Sequence, residues 1–165
     1  MDITGSVALV TGANRGIGRQ LARQLARQLL ERGAAKVYAT SRRPELVDVP
    51  GAEVLRLDIT DPGSVTAAAA AAGDVTLLVN NAGITISTNL VTGDLAEVRR
   101  EMDTHFYGTL RVIRAFAPVL ARNGGGGIVN VLSALSWFSA DGANAYAAAK
   151  AAWSLTNGVR LELAG

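Results

Sequence analysis

The sequence predicts an α/β domain: a doubly wound parallel sheet of about five strands, with helices on both faces. Three observations carry this reading. Strand-like and helix-like runs alternate over the whole of residues 1–165, read as a single domain. Most strand-like runs are continuously apolar, as strands covered on both faces are. The first of them ends in a glycine-rich turn that opens a helix. Right-handed crossovers then wind such a sheet in both directions. Ligands of doubly wound sheets sit beyond the carboxyl ends of the strands, so the residues just after each strand carry the information.

Along the chain, Ser6 to Val10 is a short apolar strand, and Arg19 to Arg32 reads as a helix. Residues 19–30 repeat a four-residue unit, RQLA-RQLA-RQLL. Four added residues lengthen a helix by about 6 Å and turn the downstream residues by about 40°. Leu21, Leu25 and Leu29 then form one apolar stripe, expected to be a duplicated helical turn with a packing role. Lys36 to Thr40 is the second strand. Glu53 to Leu57 is the third; it alternates, which places it nearer an edge. Asp61 to Ala72 is helical, with Asp61 as N-cap and Pro62 at the first helical position. Val75 to Val79 is the fourth strand. Asp94 to Arg122 is a long helix in which Pro118 predicts a kink. Gly124 to Gly127 end it, Ile128 to Leu132 is the fifth strand, and Ala143 to Ala164 is the last helix.

Composition excludes several classes. With 49% hydrophobic residues, 18% charged residues and a net charge of +2, the chain buries a core and is not disordered. No apolar run approaches the roughly 20 residues of a membrane span. The N-terminus lacks a basic, signal-like start, so a soluble cytoplasmic protein is expected. The absence of Cys excludes disulfides, zinc-thiolate sites and a Cys nucleophile, and a single His excludes histidine clusters, so no metal is expected. The basic residues are 14 Arg and 2 Lys, spread along the chain with no aromatic-basic stripe. They read as solvated helix faces and not as a nucleic-acid surface.

The first turn, Thr11-Gly12-Ala13-Asn14-Arg15-Gly16-Ile17-Gly18, joins a strand to a helix. Glycines there let the backbone approach a pyrophosphate, and the helix N-terminus favours its charge. Asn80-Asn81-Ala82-Gly83 ends the fourth strand, Tyr146 to Lys150 gives Y-x-x-x-K, and Ser133 lies thirteen residues before the tyrosine. With these motifs in this order, the chain resembles the short-chain dehydrogenase/reductase family, of the NADP-preferring type and with a Rossmann-like sheet. The resemblance spans nearly the whole chain. Members usually continue further, so the usual C-terminal third, with the substrate pocket and the fifth strand's outer neighbour, is expected to be missing.

The resemblance implies a cofactor site formed by Gly12, Asn14, Arg15, Gly16, Ile17 and Gly18 in the first turn. Asp58 matches a position contacting adenine, and Asn81, Ala82 and Gly83 lie beside the adenosine ribose. After the second strand the sequence reads Thr40-Ser41-Arg42-Arg43, with no acid to hold a ribose 2′-hydroxyl. Arg42, joined by Arg15, suits a 2′-phosphate, so NADP(H) is expected over NAD(H).

Hydride exchange with a carbonyl needs a proton donor, a second polarising group and a charge that tunes the donor. Tyr146 and Lys150 are i and i+4 on one helix, so they share a face. A lysine ammonium favours the phenolate. The implied roles are Tyr146 as acid/base, Lys150 as its tuner and nicotinamide-ribose ligand, and Ser133 as hydrogen-bond donor to the substrate oxygen. The family usually carries Asn in an N-x-x-G on the long helix, where it kinks the helix and supports a water linked to the lysine. Here that stretch is His105-Phe106-Tyr107-Gly108. His105 can donate and accept in the same place and is expected to titrate near neutral pH. Trp137 and Phe138, after the fifth strand, suggest an apolar pocket wall or, equally, a core or interface contact.

The expected activity is therefore oxidoreduction of a small-molecule carbonyl or alcohol, with a homo-oligomer possible. The alternative is a non-catalytic nucleotide-binding or interaction module. An epimerase-type loop, T-G-x-x-G-x-x-G, is not matched.

Overall fold

The computed structural model describes residues 3–14, 16–151 and 153–163, with side chains at all of these except 16–18, 21, 22 and 153. Five parallel strands form one sheet: β1 (Val7–Thr11), β2 (Lys36–Ser41), β3 (Glu53–Arg56), β4 (Leu77–Asn80) and β5 (Gly127–Asn130). Their order is β3-β2-β1-β4-β5. The winding reverses between β1 and β4, which is where a doubly wound sheet opens a crevice. As expected, β3 is an edge strand, and Val54 on it is exposed. Among the described residues β5 forms the other edge, with Val129 also exposed.

Side-chain alternation along the strands divides the core into two layers. Leu9, Tyr38 and Leu78 point into one, where they meet Val65 and Ala68 of α2 (Pro62–Ala71) and Val112 and Phe116 of the long helical stretch. Ala8, Val10, Val37, Ala39, Leu77 and Val79 point into the other, against Ala26 and Leu29 of α1 (Gly16–Glu31). The expected stripe on α1 is only partly the buried one. Leu29 is buried, Leu25 is partly buried, Ala26 makes a core contact that the stripe leaves out, and Leu21 lies outside the described side chains. Helix α2 starts as its sequence dictates: Asp61 accepts from Gly63 N–H at 2.9 Å, and Pro62 follows it.

The long helical stretch begins at α3 (Leu95–Met102), capped by Asp94, which accepts from Ala96 N–H at 2.8 Å. It passes through a π-helical segment, Asp103–Gly108, and continues as α4 (Thr109–Arg122). A departure from α geometry thus falls at His105, where the resemblance implies a kink, and Pro118 lies inside α4. Gly108 lets the segment pack close to the turn after β3: a Cβ there would stand 3.0 Å from Ile59 Cδ1.

The last helix is two helices, α5 (Asn144–Lys150) and α6 (Trp153–Glu162). Ala151 ends the first, with its N–H shared between the carbonyls of Ala147 and Ala148. Asn130 at the end of β5 fastens α6 to the sheet by donating to Thr156 Oγ1 at 2.9 Å. Among the described residues no helix is long and apolar enough to cross a membrane.

Candidate active site

Two turns beyond the carboxyl ends of β1 and β4 are bound together by one side chain. The Thr11 hydroxyl accepts from the N–H groups of Asn81 and Ala82, each at 2.9 Å, and Asn81 Nδ2 donates to Thr11 O at 2.8 Å. The contact demands glycine next to it. Gly12 has a φ of 78°, and a Cβ on it would lie 2.6 Å from Ala82 Cα. Ala13 N–H donates to Thr40 O at 2.9 Å, which ties the same turn to the end of β2.

These turns frame a cleft of about 590 Å³. It falls within the range of small-molecule and cofactor sites, roughly 300–1,000 Å³. Gly12, Asn14, Arg42, Asp58, Asn81, Ala82, Gly83, His105, Tyr146 and Lys150 all line it. Asp58 is held in place: its Oδ1 accepts from Thr60 N–H at 3.0 Å and from Thr60 Oγ1 at 2.7 Å. Arg42 is exposed at the cleft. Arg15 lies outside the described residues. Gly16, Ile17 and Gly18 open α1, and their side chains also lie outside them.

Tyr146 and Lys150 both belong to α5, one helical turn apart as the spacing predicts. Tyr146 meets the His105 ring edge-on, with centroids 5.2 Å apart and planes at 87°. Lys150 is buried; its Nζ donates to Val131 O at 3.0 Å and stands 5.8 Å from the centre of the Tyr146 ring. Burial pulls the Lys150 pKa below the usual lysine value, while the charge of Glu101 acts against that shift.

Ser133 lies three residues beyond β5 as the N-cap of a single 3₁₀ turn, Ala134–Ser136. Its Oγ accepts from Leu135 N–H at 3.2 Å. It is not among the residues lining the cleft, but it is joined to α5 through Ser136. Ser133 N–H donates to Ser136 Oγ at 3.3 Å, and Ser136 Oγ–H donates to Lys150 O at 2.6 Å. Trp137 and Phe138 are exposed, 73% and 57%, and are not among the residues lining this cleft, so of the readings the sequence offers they are not core residues.

His105 departs from expectation. It is buried, with Nε2 2.8 Å from Ile84 O and 3.1 Å from Glu101 Oε2. Burial, helped by the charge of Lys150, pushes its pKa down to about 4 against the bond to Ile84. The ring is therefore neutral near pH 7, and the expected titration near neutrality does not occur. Glu101, one turn earlier on the helix, has no exposed surface, and its Oε1 accepts from Ile86 N–H. Burial raises its pKa, opposed by the Ile86 bond and by the charges of Lys150 and Arg100. The sequence reading passes over Glu101. Its signal was present in the i, i+4 spacing of Glu101 and His105.

Comparison with known proteins agrees with this geometry. The short chain dehydrogenase family model matches residues 6–165. The chain is 37% identical over 138 residues to NADPH-dependent 1-acyldihydroxyacetone phosphate reductase of Schizosaccharomyces pombe, a match covering 78% of this chain and 46% of that protein. It is 34% identical to 3-oxoacyl-(acyl-carrier-protein) reductase of Escherichia coli, over 92% of this chain and 64% of that one. The chain thus spans about half to two thirds of the length of these curated relatives. Among solved structures, a short chain dehydrogenase from Burkholderia cenocepacia in complex with NADP superposes with a TM-score of 0.89 and 43% identity, over 99% of this chain and 69% of that one. From the four motifs, the sheet order, the cleft and these matches together, the chain belongs to the short-chain dehydrogenase family.

Proposed function

We propose that this chain carries the nucleotide site and reaction centre of an NADP(H)-dependent reductase or dehydrogenase acting on a carbonyl or secondary alcohol. The observation that carries the reading is the convergence of Tyr146 and Lys150 with Gly12, Asn14, Asp58 and Asn81 on one cleft beyond the strand ends. Arg42 at the same cleft, with no acid in the stretch Thr40 to Arg43, supports a 2′-phosphate over a free 2′-hydroxyl. The S. pombe relative, named as NADPH-dependent, and the B. cenocepacia structure, bound to NADP, support the same preference.

When bound, the nicotinamide supplies or takes the hydride. The remaining work falls to the protein. Gly12, Asn14 and Arg15 hold the phosphates, and Asn81 to Gly83 and Asp58 hold the adenosine half. Tyr146 Oη gives its proton to the substrate oxygen as that oxygen gains charge. Lys150 stands behind Tyr146 and binds the ribose. Ser133 Oγ already accepts from Leu135 N–H, so its own proton is free to donate to the substrate oxygen.

The test is titration of the chain with NADPH and NADH, followed by a screen of carbonyl substrates with the wild type and Tyr146→Phe. The reading expects tighter NADPH binding and turnover that Tyr146→Phe abolishes. Turnover that survives Tyr146→Phe overturns the catalytic assignment. Nucleotide binding with no turnover identifies a nucleotide-binding module instead.

A further inference from the structure

The 3₁₀ turn that follows Ser133 is fastened to α5 by one hydroxyl. Ser136 is buried, and its Oγ makes two hydrogen bonds. It accepts from Ser133 N–H at 3.3 Å and donates to Lys150 O at 2.6 Å. A serine hydroxyl has one proton and two lone pairs, so both bonds are made at once. Their far ends are the main chains of Ser133 and Lys150, two residues of the proposed reaction centre.

The carbonyl that Ser136 takes is one that the helix leaves open. The last carbonyls of a helix have no donor within it. Lys150 ends α5, and Ser154 N–H, its partner in an uninterrupted helix, donates to Ala151 O at 3.5 Å. Lys150 is held a second time through its side chain, whose Nζ donates to Val131 O at 3.0 Å. The segment from Val131 to Ser136 thus grips Lys150 by main chain and side chain, and Ser133 lies between the two grips. The turn itself does not need the Ser136 hydroxyl. Ser136 N–H donates to Ser133 O at 2.9 Å, and Trp137 N–H to Ala134 O at 3.0 Å. What the hydroxyl adds is the link to α5.

We propose that Ser136 is a positioning residue: its hydroxyl pins the Ser133 turn to the main chain of Lys150 and so sets where Ser133 Oγ stands relative to Tyr146. The effect on turnover rests on the proposed reductase function; the pin does not. Tyr146 and Lys150 share α5, so they keep their mutual geometry when the pin is removed. The nucleotide side of the cleft is also untouched, because Gly12, Asn14, Asp58 and Asn81 belong to other turns. Ser133 is the group that moves.

Ser136→Ala removes the donor and keeps the turn, and NMR of the 165-residue chain reads the pin directly. A carbonyl carbon that loses a hydrogen bond resonates further upfield, so the ¹³C′ signal of Lys150 is expected to move upfield in the variant. Ser133 N–H loses its acceptor, and its exchange with solvent is expected to speed up about three- to tenfold. If either the Lys150 signal or the Ser133 exchange rate matches the wild type, the proposal is overturned. If Ser136→Ala does not fold, Ser136→Cys takes its place, because a thiol is a much weaker donor.

In turnover, Ser136→Ala is expected to lower kcat about tenfold, within what a small misplacement of a reacting group costs. NADPH affinity and the pH profile of kcat are expected to stay as in the wild type, because Tyr146 and Lys150 move together. In a Ser133→Ala background the same substitution is expected to cost nothing further. An equal loss in both backgrounds, a shifted pH profile or an unchanged kcat overturns the positioning role. Where Ser133→Ala leaves no measurable rate, the pH profile decides. A wild-type chain with no turnover removes the proposed function and leaves the NMR measurement to decide the pin.

Discussion

A Cβ placed on Gly83 would stand 2.6 Å from Cε1 of His105, so the turn after β4 and the long helix approach each other at a distance only glycine permits. His105 cannot swing aside, because its Nε2 is tied to Ile84 O on the same turn. Gly83→Ala is therefore expected to destabilise the fold by about 1–3 kcal/mol, the usual cost of overpacking. Thermal unfolding checks this, and so does the double variant with His105→Ala, which is expected to recover part of the loss. A Gly83→Ala melting curve superimposable on the wild type would refute the close approach.

The His105 pKa gives a pH dependence with a definite sign. In the folded chain it is pushed down to about 4 from an ordinary 6.5, so the unfolded chain binds this proton first. The stabilising effect of the neutral ring is complete above pH 6.5 and is lost as pH falls towards 4. Its full size is about 3 kcal/mol. Glu101, shifted upward by burial, acts in the opposite direction and offsets part of it. His105→Asn is expected to retain its melting temperature better than the wild type between pH 6.5 and 4.5. Parallel curves for the two proteins count against the downward shift.

Thr11 is the shared acceptor for two N–H groups of the β4 turn. Thr11→Val keeps the volume and strands both donors, at about 1–3 kcal/mol for each buried group left unsatisfied. The expected result is a lower melting temperature together with weaker NADPH binding, while Thr11→Ser stays close to the wild type. Calorimetric titration of the two variants separates them. Equal binding by Thr11→Val and Thr11→Ser would show that the hydroxyl is dispensable.

Arg42 tests the cofactor preference. Hydrogen bonds to charged groups contribute about 1.5–3 kcal/mol, so Arg42→Ala is expected to weaken NADPH binding about ten- to a hundredfold. NADH binding should change little. Equal losses for both nucleotides would mean that Arg42 does not read the 2′-phosphate.

Much of this architecture could be read from the chain because local and global signals agree. The apolar runs of β1 and β4 are buried on both faces, and their positions fix the sheet. Asp61-Pro62 marks a helix start by itself, and alternation in Glu53 to Arg56 marks an edge. The nucleotide side of the cleft could be read for the same reason: its residues come just after strand ends. The features that escaped depend on contacts between distant segments. The break after Lys150 falls in an alanine-rich run that carries no stop signal, so Ala143 to Ala164 reads as one helix. The π-helical segment leaves no local residue signature; only the resemblance at the His105 position implies a kink there, while Pro118, the local kink signal, lies inside α4. His105 was expected to titrate near neutrality because its position shows and its burial does not. Glu101 was missed because a glutamate on a helix is normally a solvated residue.

The π-helical segment has a further consequence. A π turn takes in one residue more than an α turn, which sets the two arms of the long helix out of phase by about 100°. Upstream of it the inward residue is Glu101; downstream, Val112 and Phe116 face the sheet. Deleting one residue between Asp103 and Gly108 would make the helix more regular and the protein worse. Phe116 would rotate out of the core, and either Glu101 would leave His105 or the whole downstream arm would lose its bed. The irregular turn lets one rod serve a polar centre at one end and an oily one at the other.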